Sequence, residues 1–157
     1  MKKILFVCSG NTCRSPMAEA IAKKTFSKDG SFYGQFTSAG SSAREGQPAS
    51  PLAIKVAKAN SLDLSNHQAK LLNRTLVREA DLIVVMGSNH RETIGIIEPS
   101  AREYTYLLTD FCDDEEGDVP DPIGMDEKTY EKTYALIEKC VKAMGDRLET
   151  FDGWRRS

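Results

Sequence analysis

Between Lys3 and Cys8 the chain is apolar without alternation; it then breaks at Ser9 and Gly10 and resumes at Ser15 and Pro16 with Met17, Ala20, Ile21 and Phe26 at helical spacing. An unalternating apolar run is the pattern of a strand buried on both faces, which in practice means a parallel sheet covered by helices. Pro16 falls in the first helical turn, where its missing N–H costs nothing. The chain therefore opens as strand, tight loop and helix, and whatever follows must supply more parallel strands and the layers that cover them.

The rest of the sequence does so. Gln35 to Ala39 reads as a second strand, Pro51 to Ala59 as a helix, Asp81 to Met86 as a third buried strand, His90 to Ile97 as a helix and Tyr104 to Leu108 as a fourth strand. From Asp126 onward Tyr130, Tyr134, Ile137, Val141, Met144 and Leu148 recur at steps of four and three, the pattern of one long amphipathic helix. The last residues, Asp152 to Ser157, read as a fraying end. The expected fold is a doubly wound α/β domain: a four-stranded parallel sheet with helices on both faces and its ligand site in the loop after the first strand. At 157 residues, one domain spanning 1–157 is expected. The acidic, proline-containing stretch from Asp113 to Asp126 reads as a loop over a site.

Composition excludes several function classes. A formal net charge of −2 gives no reason to expect a nucleic-acid partner. No stretch approaches the roughly 18 apolar residues of a membrane span, and the first apolar run is shorter than the roughly 7–15 residues of a signal core, so the cytoplasm is the expected location. Without a secretion signal, the four cysteines, Cys8, Cys13, Cys112 and Cys140, are expected as free thiols. There is no Cys-x-x-Cys pair and there are two histidines, which argues against a structural metal.

Chemistry concentrates in Cys8-Ser9-Gly10-Asn11-Thr12-Cys13-Arg14-Ser15. Successive N–H groups of a tight loop, with those of the following helix start, make a concave anion site, and the Arg14 guanidinium can hold two phosphate oxygens. The same positive field favours thiolate at Cys8 and makes it a nucleophile. Without this context, a cysteine and an arginine separated by five residues would be a strand end and a surface helix residue.

The segment Val7-Cys8-Ser9-Gly10-Asn11-Thr12-Cys13-Arg14-Ser15-Pro16-Met17-Ala18-Glu19 resembles the signature of the low-molecular-weight protein tyrosine phosphatase family, and Ser38-Ala39-Gly40, Asn66-His67, Ala80 to Met86 and Asp121-Pro122 extend the likeness over nearly the whole chain. The resemblance implies phosphorylated protein substrates, no metal or other cofactor, and a phosphocysteine intermediate; a monomer or weak self-association is expected, though the sequence does not reveal which. The resemblance makes Cys8 the nucleophile, Arg14 the phosphate clamp, and Ser9, Gly10, Asn11, Thr12, Cys13 and Ser15 the rest of the substrate loop. Asp121 would be acid in the first step and base in the second, with Pro122 holding it extended. Asp113, Asp114, Asp118 and Asp126 read as solvated loop charge. Ser15 matches a hydroxyl that bonds the nucleophilic sulfur and also reads as a helix cap. Asn11, Ser38 and His67 match a shell that holds the loop in shape. Cys13 matches a cysteine that traps the nucleophile in a reversible disulfide, though a small buried residue serves as well there. Cys112 and Cys140 read as packing residues.

Substrate choice turns on fewer residues. Phosphotyrosine-directed members tend to carry a bulky aliphatic residue between the loop Asn and the second Cys, and aromatic walls around the cleft. This chain has Thr12, no aromatic in Ser41 to Gly46, and Ile123-Gly124 after Asp121-Pro122. Thr12 and Asp-Pro-x-Gly resemble the protein arginine phosphatase branch, so phosphoarginine is favoured, with phosphotyrosine as the alternative. Gly87 stands where the tyrosine branch carries an Asp, which leaves the partner of His67 open. A thioredoxin-coupled arsenate reductase shares the loop but needs two further redox cysteines after the third strand, and residues 81–100 have none. A phosphoprotein-binding module would have no use for Cys8, Ser15 and Asp121 together.

Overall fold

The computed structural model describes residues 1–29 and 34–156. Its elements run β1 (Lys2–Cys8), α1 (Arg14–Asp29), β2 (Gly34–Gly40), α2 (Pro51–Ala59), α3 (Arg74–Glu79), β3 (Leu82–Val85), α4 (Ser88–Ile97), β4 (Thr105–Leu107) and α5 (Glu127–Arg147), with 3-10 turns at Pro99–Tyr104 and Leu108–Phe111. The strands pair in parallel in the order β2-β1-β3-β4. From β1 the chain steps first to one side and then, through β3, to the other. This reversal puts the topological switch point at the carboxyl end of β1, where Cys8 stands.

Both faces of the sheet are covered, which is why β1 does not alternate. Ile4, Phe6, Leu82, Val84 and Met86 pack on one face with Met17 and Ile21 of α1, Val56 of α2, and Ile137, Val141 and Met144 of α5. Leu5, Val7, Ile83 and Val85 pack on the other with Val77 of α3 and Ile94 of α4. Each such side chain contributes about 1.5–3 kcal/mol when fully buried. Ser50 caps α2 by accepting from the Ala53 amide, and Pro51 opens it.

Three expectations need correction. The helix α3 was not foreseen: it is one and a half turns long, with only Val77 fully buried, too little for a periodic signal, and it is started by Asn73 accepting from the Leu76 amide at 2.9 Å. The end of the chain does not fray over the residues described. The Arg155 amide donates to Asp81 O at 2.8 Å, the Arg155 side chain donates to Arg78 O and lies over the Tyr104 ring, and Trp154 packs edge-on against Phe151 beneath Lys2. Ser157 lies outside the described residues. The loop acids are exposed yet engaged: Asp113 pairs with Arg147, Asp114 with Lys139, Asp118 Oδ1 accepts from the Ser88 amide, and Asp126 caps α5. No helix of the described residues is long and apolar enough to cross a membrane.

Candidate active site

Ser9 to Cys13 bridge the end of β1 and the start of α1, and the carbonyls of this loop are held from outside. Cys8 O accepts from the Ser41 amide, Ser9 O from the Ser42 amide and Thr12 O from the Ser50 amide, each at 2.9 Å, while His67 Nε2 donates to Asn11 O at 2.7 Å. Across a trans peptide the next N–H points opposite its carbonyl, so these tethers turn the amides of Ser9, Gly10, Thr12 and Cys13 toward the loop interior. The amides there converge with the start of α1 into an anion cradle. His67, half-buried, thus has Asn11 O as a partner. A Cβ at residue 87 would meet Asn89 Oδ1 at 2.7 Å.

Asn11 turns the loop with φ of 54°, a left-handed conformation that asparagine tolerates better than most residues. Its amide Nδ2 donates to Ser15 Oγ at 2.8 Å and to Ser38 Oγ at 3.0 Å, and its Oδ1 accepts from the Lys70 amide at 3.0 Å. Ser38 in turn donates to Glu19 Oε1 at 2.6 Å. With Asn11 donating to it, Ser15 Oγ has one proton to place, and Cys8 Sγ at 2.9 Å is a closer acceptor than Ala39 O at 3.4 Å. The chain Glu19, Ser38, Asn11, Ser15 therefore delivers a hydrogen bond to Cys8 sulfur. Gly40 lets β2 approach: a Cβ there would lie 2.4 Å from Ser9 O and 2.8 Å from the Asn11 amide nitrogen.

Arg14 is 6% exposed and donates through Nη1 to Val119 O at 2.9 Å; its Nη2 lies 3.4 Å from both Ser9 Oγ and Asp121 Oδ2. The Val119 amide donates to Met86 O at 2.7 Å, so the end of β3 pins the acidic loop over the cradle. Asp121 keeps two-fifths of its side chain exposed, accepts from the Ile123 amide at 3.1 Å and precedes a buried Pro122. Cys13 is buried 3.1 Å from Ser50 Oγ and 3.4 Å from Tyr130 Oη, whose phenol burial pushes up to about 12. Thr12 Oγ1 lies 3.7 Å from Cys13 Sγ. Cys112 and Cys140 are buried away from this cluster, and burial pushes the Cys140 thiol up to about 12.

Cys8, Ser9, Asn11, Thr12, Cys13, Arg14, Ser15, Ser38, His67 and Asp121 lie in or against this one cluster, whereas Cys112 and Cys140 pack elsewhere and Asp113, Asp114 and Asp126 engage Arg147, Lys139 and the start of α5. Sequence reasoning missed Glu19, Gly40, Ser50, Tyr130 and His90. His90 is 1% exposed and its Nε2 shares a 2.9 Å hydrogen bond with Ser9 Oγ. Glu19 and Gly40 sat within the quoted motif segments and carried a usable signal. His90 and Tyr130 reach the loop only through the folded sheet and helices.

A family model described as low molecular weight phosphotyrosine protein phosphatase matches residues 3–151. Among curated proteins, the low molecular weight protein-tyrosine-phosphatase Wzb of Salmonella typhi is 36% identical over 153 residues, covering 96% of this chain and 97% of its own. Among solved structures, a YwlE mutant from Bacillus subtilis superposes with a TM-score of 0.89 at 31% identity, covering 95% of this chain and 99% of its own. The YwlE arginine phosphatase from Geobacillus stearothermophilus gives 0.86 at 31% identity, covering 96% and 94%. Vibrio vulnificus Wzb in complex with benzylphosphonate gives 0.84 at 35% identity, covering 93% and 98%.

Proposed function

The chain belongs to the low-molecular-weight phosphotyrosine protein phosphatase family, and on that premise we propose that it hydrolyses phosphorylated protein side chains through a phosphocysteine, with phosphoarginine preferred to phosphotyrosine. Cys8 sulfur attacks phosphorus while the bond to the leaving nitrogen or oxygen breaks, and Asp121 supplies the proton that departs with the leaving group. Water then attacks the phosphocysteine, Asp121 takes a proton from it, and Cys8 leaves as thiolate steadied by the hydrogen bond from Ser15. Arg14 and the loop amides hold the phosphoryl oxygens as charge shifts between them. Four free cysteines suit a reducing compartment, and the cytoplasm is the proposed location.

The observation that carries the substrate preference is Thr12, a hydroxyl-bearing side chain in the cradle wall beside Cys13, where a bulky aliphatic residue would favour an aromatic ring. Ile123, 58% exposed next to the acid, and a Ser41 to Gly46 loop without aromatics offer little for a phenyl ring to stack on. The YwlE arginine phosphatase neighbour supports the same reading. Phosphotyrosine is the second reading, favoured by the names of the Wzb relatives. The deciding experiment compares kcat/KM on matched phosphoarginine and phosphotyrosine peptides for wild type and Thr12→Ile. A phosphoarginine preference that collapses in the variant is expected; a wild-type preference for phosphotyrosine would reject the arginine assignment.

A further inference from the structure

His90 stands on the first turn of α4, beyond β3, yet touches the first residue of the phosphate loop. Its Nε2 is 2.9 Å from Ser9 Oγ, and its Nδ1 is buried with no hydrogen-bond partner among the described residues. Ser9 Oγ also accepts from Arg14 Nη2 at 3.4 Å. Burial first, and the Arg14 charge second, keep the imidazole neutral, bringing its pKa down to about 4 against the pull of Asp118 and Asp121. A neutral ring carries one proton, and the two tautomers have different consequences.

With the proton on Nδ1, a buried N–H donor is left unpaired and the Ser9 hydroxyl proton is consumed by Nε2. With the proton on Nε2, only a lone pair is left unpaired. Orphaned buried N–H groups are the rarer case, and the second arrangement is favoured. Ser9 Oγ then accepts from both His90 and Arg14, its lone pairs are filled, and its own proton must point elsewhere. An oxygen of a phosphoryl group bound by Arg14 would be an acceptor for it. We propose that His90 is a positioning residue that, as the Nε2–H tautomer, turns the Ser9 hydroxyl proton toward the bound phosphoryl group. This rests on the phosphoryl-transfer reading of the loop and adds to it a side-chain donor aimed by a residue on a different element.

The first test needs no variant. Long-range proton–nitrogen NMR of the imidazoles at neutral pH should show His90 protonated on Nε2; protonation on Nδ1 would overturn the proposal. The second is a mutant cycle on p-nitrophenyl phosphate with melting temperatures checked in parallel. Ser9→Ala and His90→Asn, too short to reach Ser9, should each lower kcat on the order of 10–100-fold, while His90→Gln, which can offer an amide N–H where Nε2 stood, should recover most of it. His90→Asn should cost little more once Ser9 is already alanine. An equal loss in both backgrounds would show that His90 acts independently of Ser9 and sink the idea. A wild type without turnover would instead reject the phosphatase reading, and the tautomer would still decide the placement of the His90 proton.

Discussion

Asp121 faces Arg14 at 3.4 Å with much of its carboxyl in water, a geometry worth little to stability. In the proposed mechanism its value lies in reach, since a carboxyl beside Arg14 can protonate a departing group and later deprotonate water. Asp121→Ala should therefore leave the melting temperature nearly unchanged while lowering kcat by about 10²–10⁴-fold on alkyl-like leaving groups, and far less on p-nitrophenol, which leaves without a proton. Equal losses on both, measured across a leaving-group series, would dismiss Asp121 as the acid. His90 makes a different prediction, about stability. Its folded pKa of about 4 lies below its ordinary value of 6.5, so the unfolded chain binds the extra proton first as pH falls. The stabilisation is complete above pH 6.5 and is lost progressively toward pH 4, on the order of 1–3 kcal/mol in all. Urea titrations at pH 7 and pH 4.5 should show wild type losing more stability than His90→Gln over that interval.

At the scale of elements, the site is a loop clamped by its neighbours. The end of β2 presses on it at Gly40, where a methyl group would overlap Ser9 O and crowd the Asn11 amide, both parts of the backbone that shapes the cradle. Gly40→Ala should cost about 1–3 kcal/mol of stability and, by displacing the cradle, roughly 100-fold or more in kcat/KM. Phosphate affinity, read by inhibition, should fall with it; unchanged inhibition would mean that β2 does not shape the loop. Cys8, Arg14 and the tight loop between them were legible beforehand because they lie within one contiguous strand, loop and helix start, whereas the left-handed turn at Asn11 was not marked by the sequence. His90 was not, because it meets Ser9 across 81 positions, through the pairing of β1 with β3, and a histidine near a helix start has no local mark of that. The short α3 escaped for want of periodicity. Asp118 looked like loop charge because a carboxylate that caps α4 from 30 positions away has no sequence spacing to betray it.

Across the whole molecule the two ends of the sheet do different work. The carboxyl ends of β1 and β3 carry Cys8 and Met86, which hold the cradle and its acidic loop. At the amino ends, Asp81 Oδ2 accepts from the Lys3 amide, Asp81 O accepts from the Arg155 amide, and Trp154 lies beneath Lys2 and against Phe151. Phe151 continues the contact into Tyr106 and Phe111, so the last residues staple the far rim of the sheet to the 3-10 turn after β4. The sequence suggested fraying there because a short polar, glycine-containing segment has no pattern of its own; beside the local contact with Phe151, it is held by the distant Lys2, Arg78, Asp81 and Tyr104. Trp154→Ala removes half-buried aromatic area and should cost about 1–2 kcal/mol, a fall of roughly 2–8 °C in Tm for a chain of this size. Since that rim lies a strand's length from Cys8, kcat/KM on p-nitrophenyl phosphate at 25 °C should stay within about twofold of wild type. A large loss of activity at unchanged Tm would mean instead that the terminal staple governs the register of β1, and through it the position of Cys8.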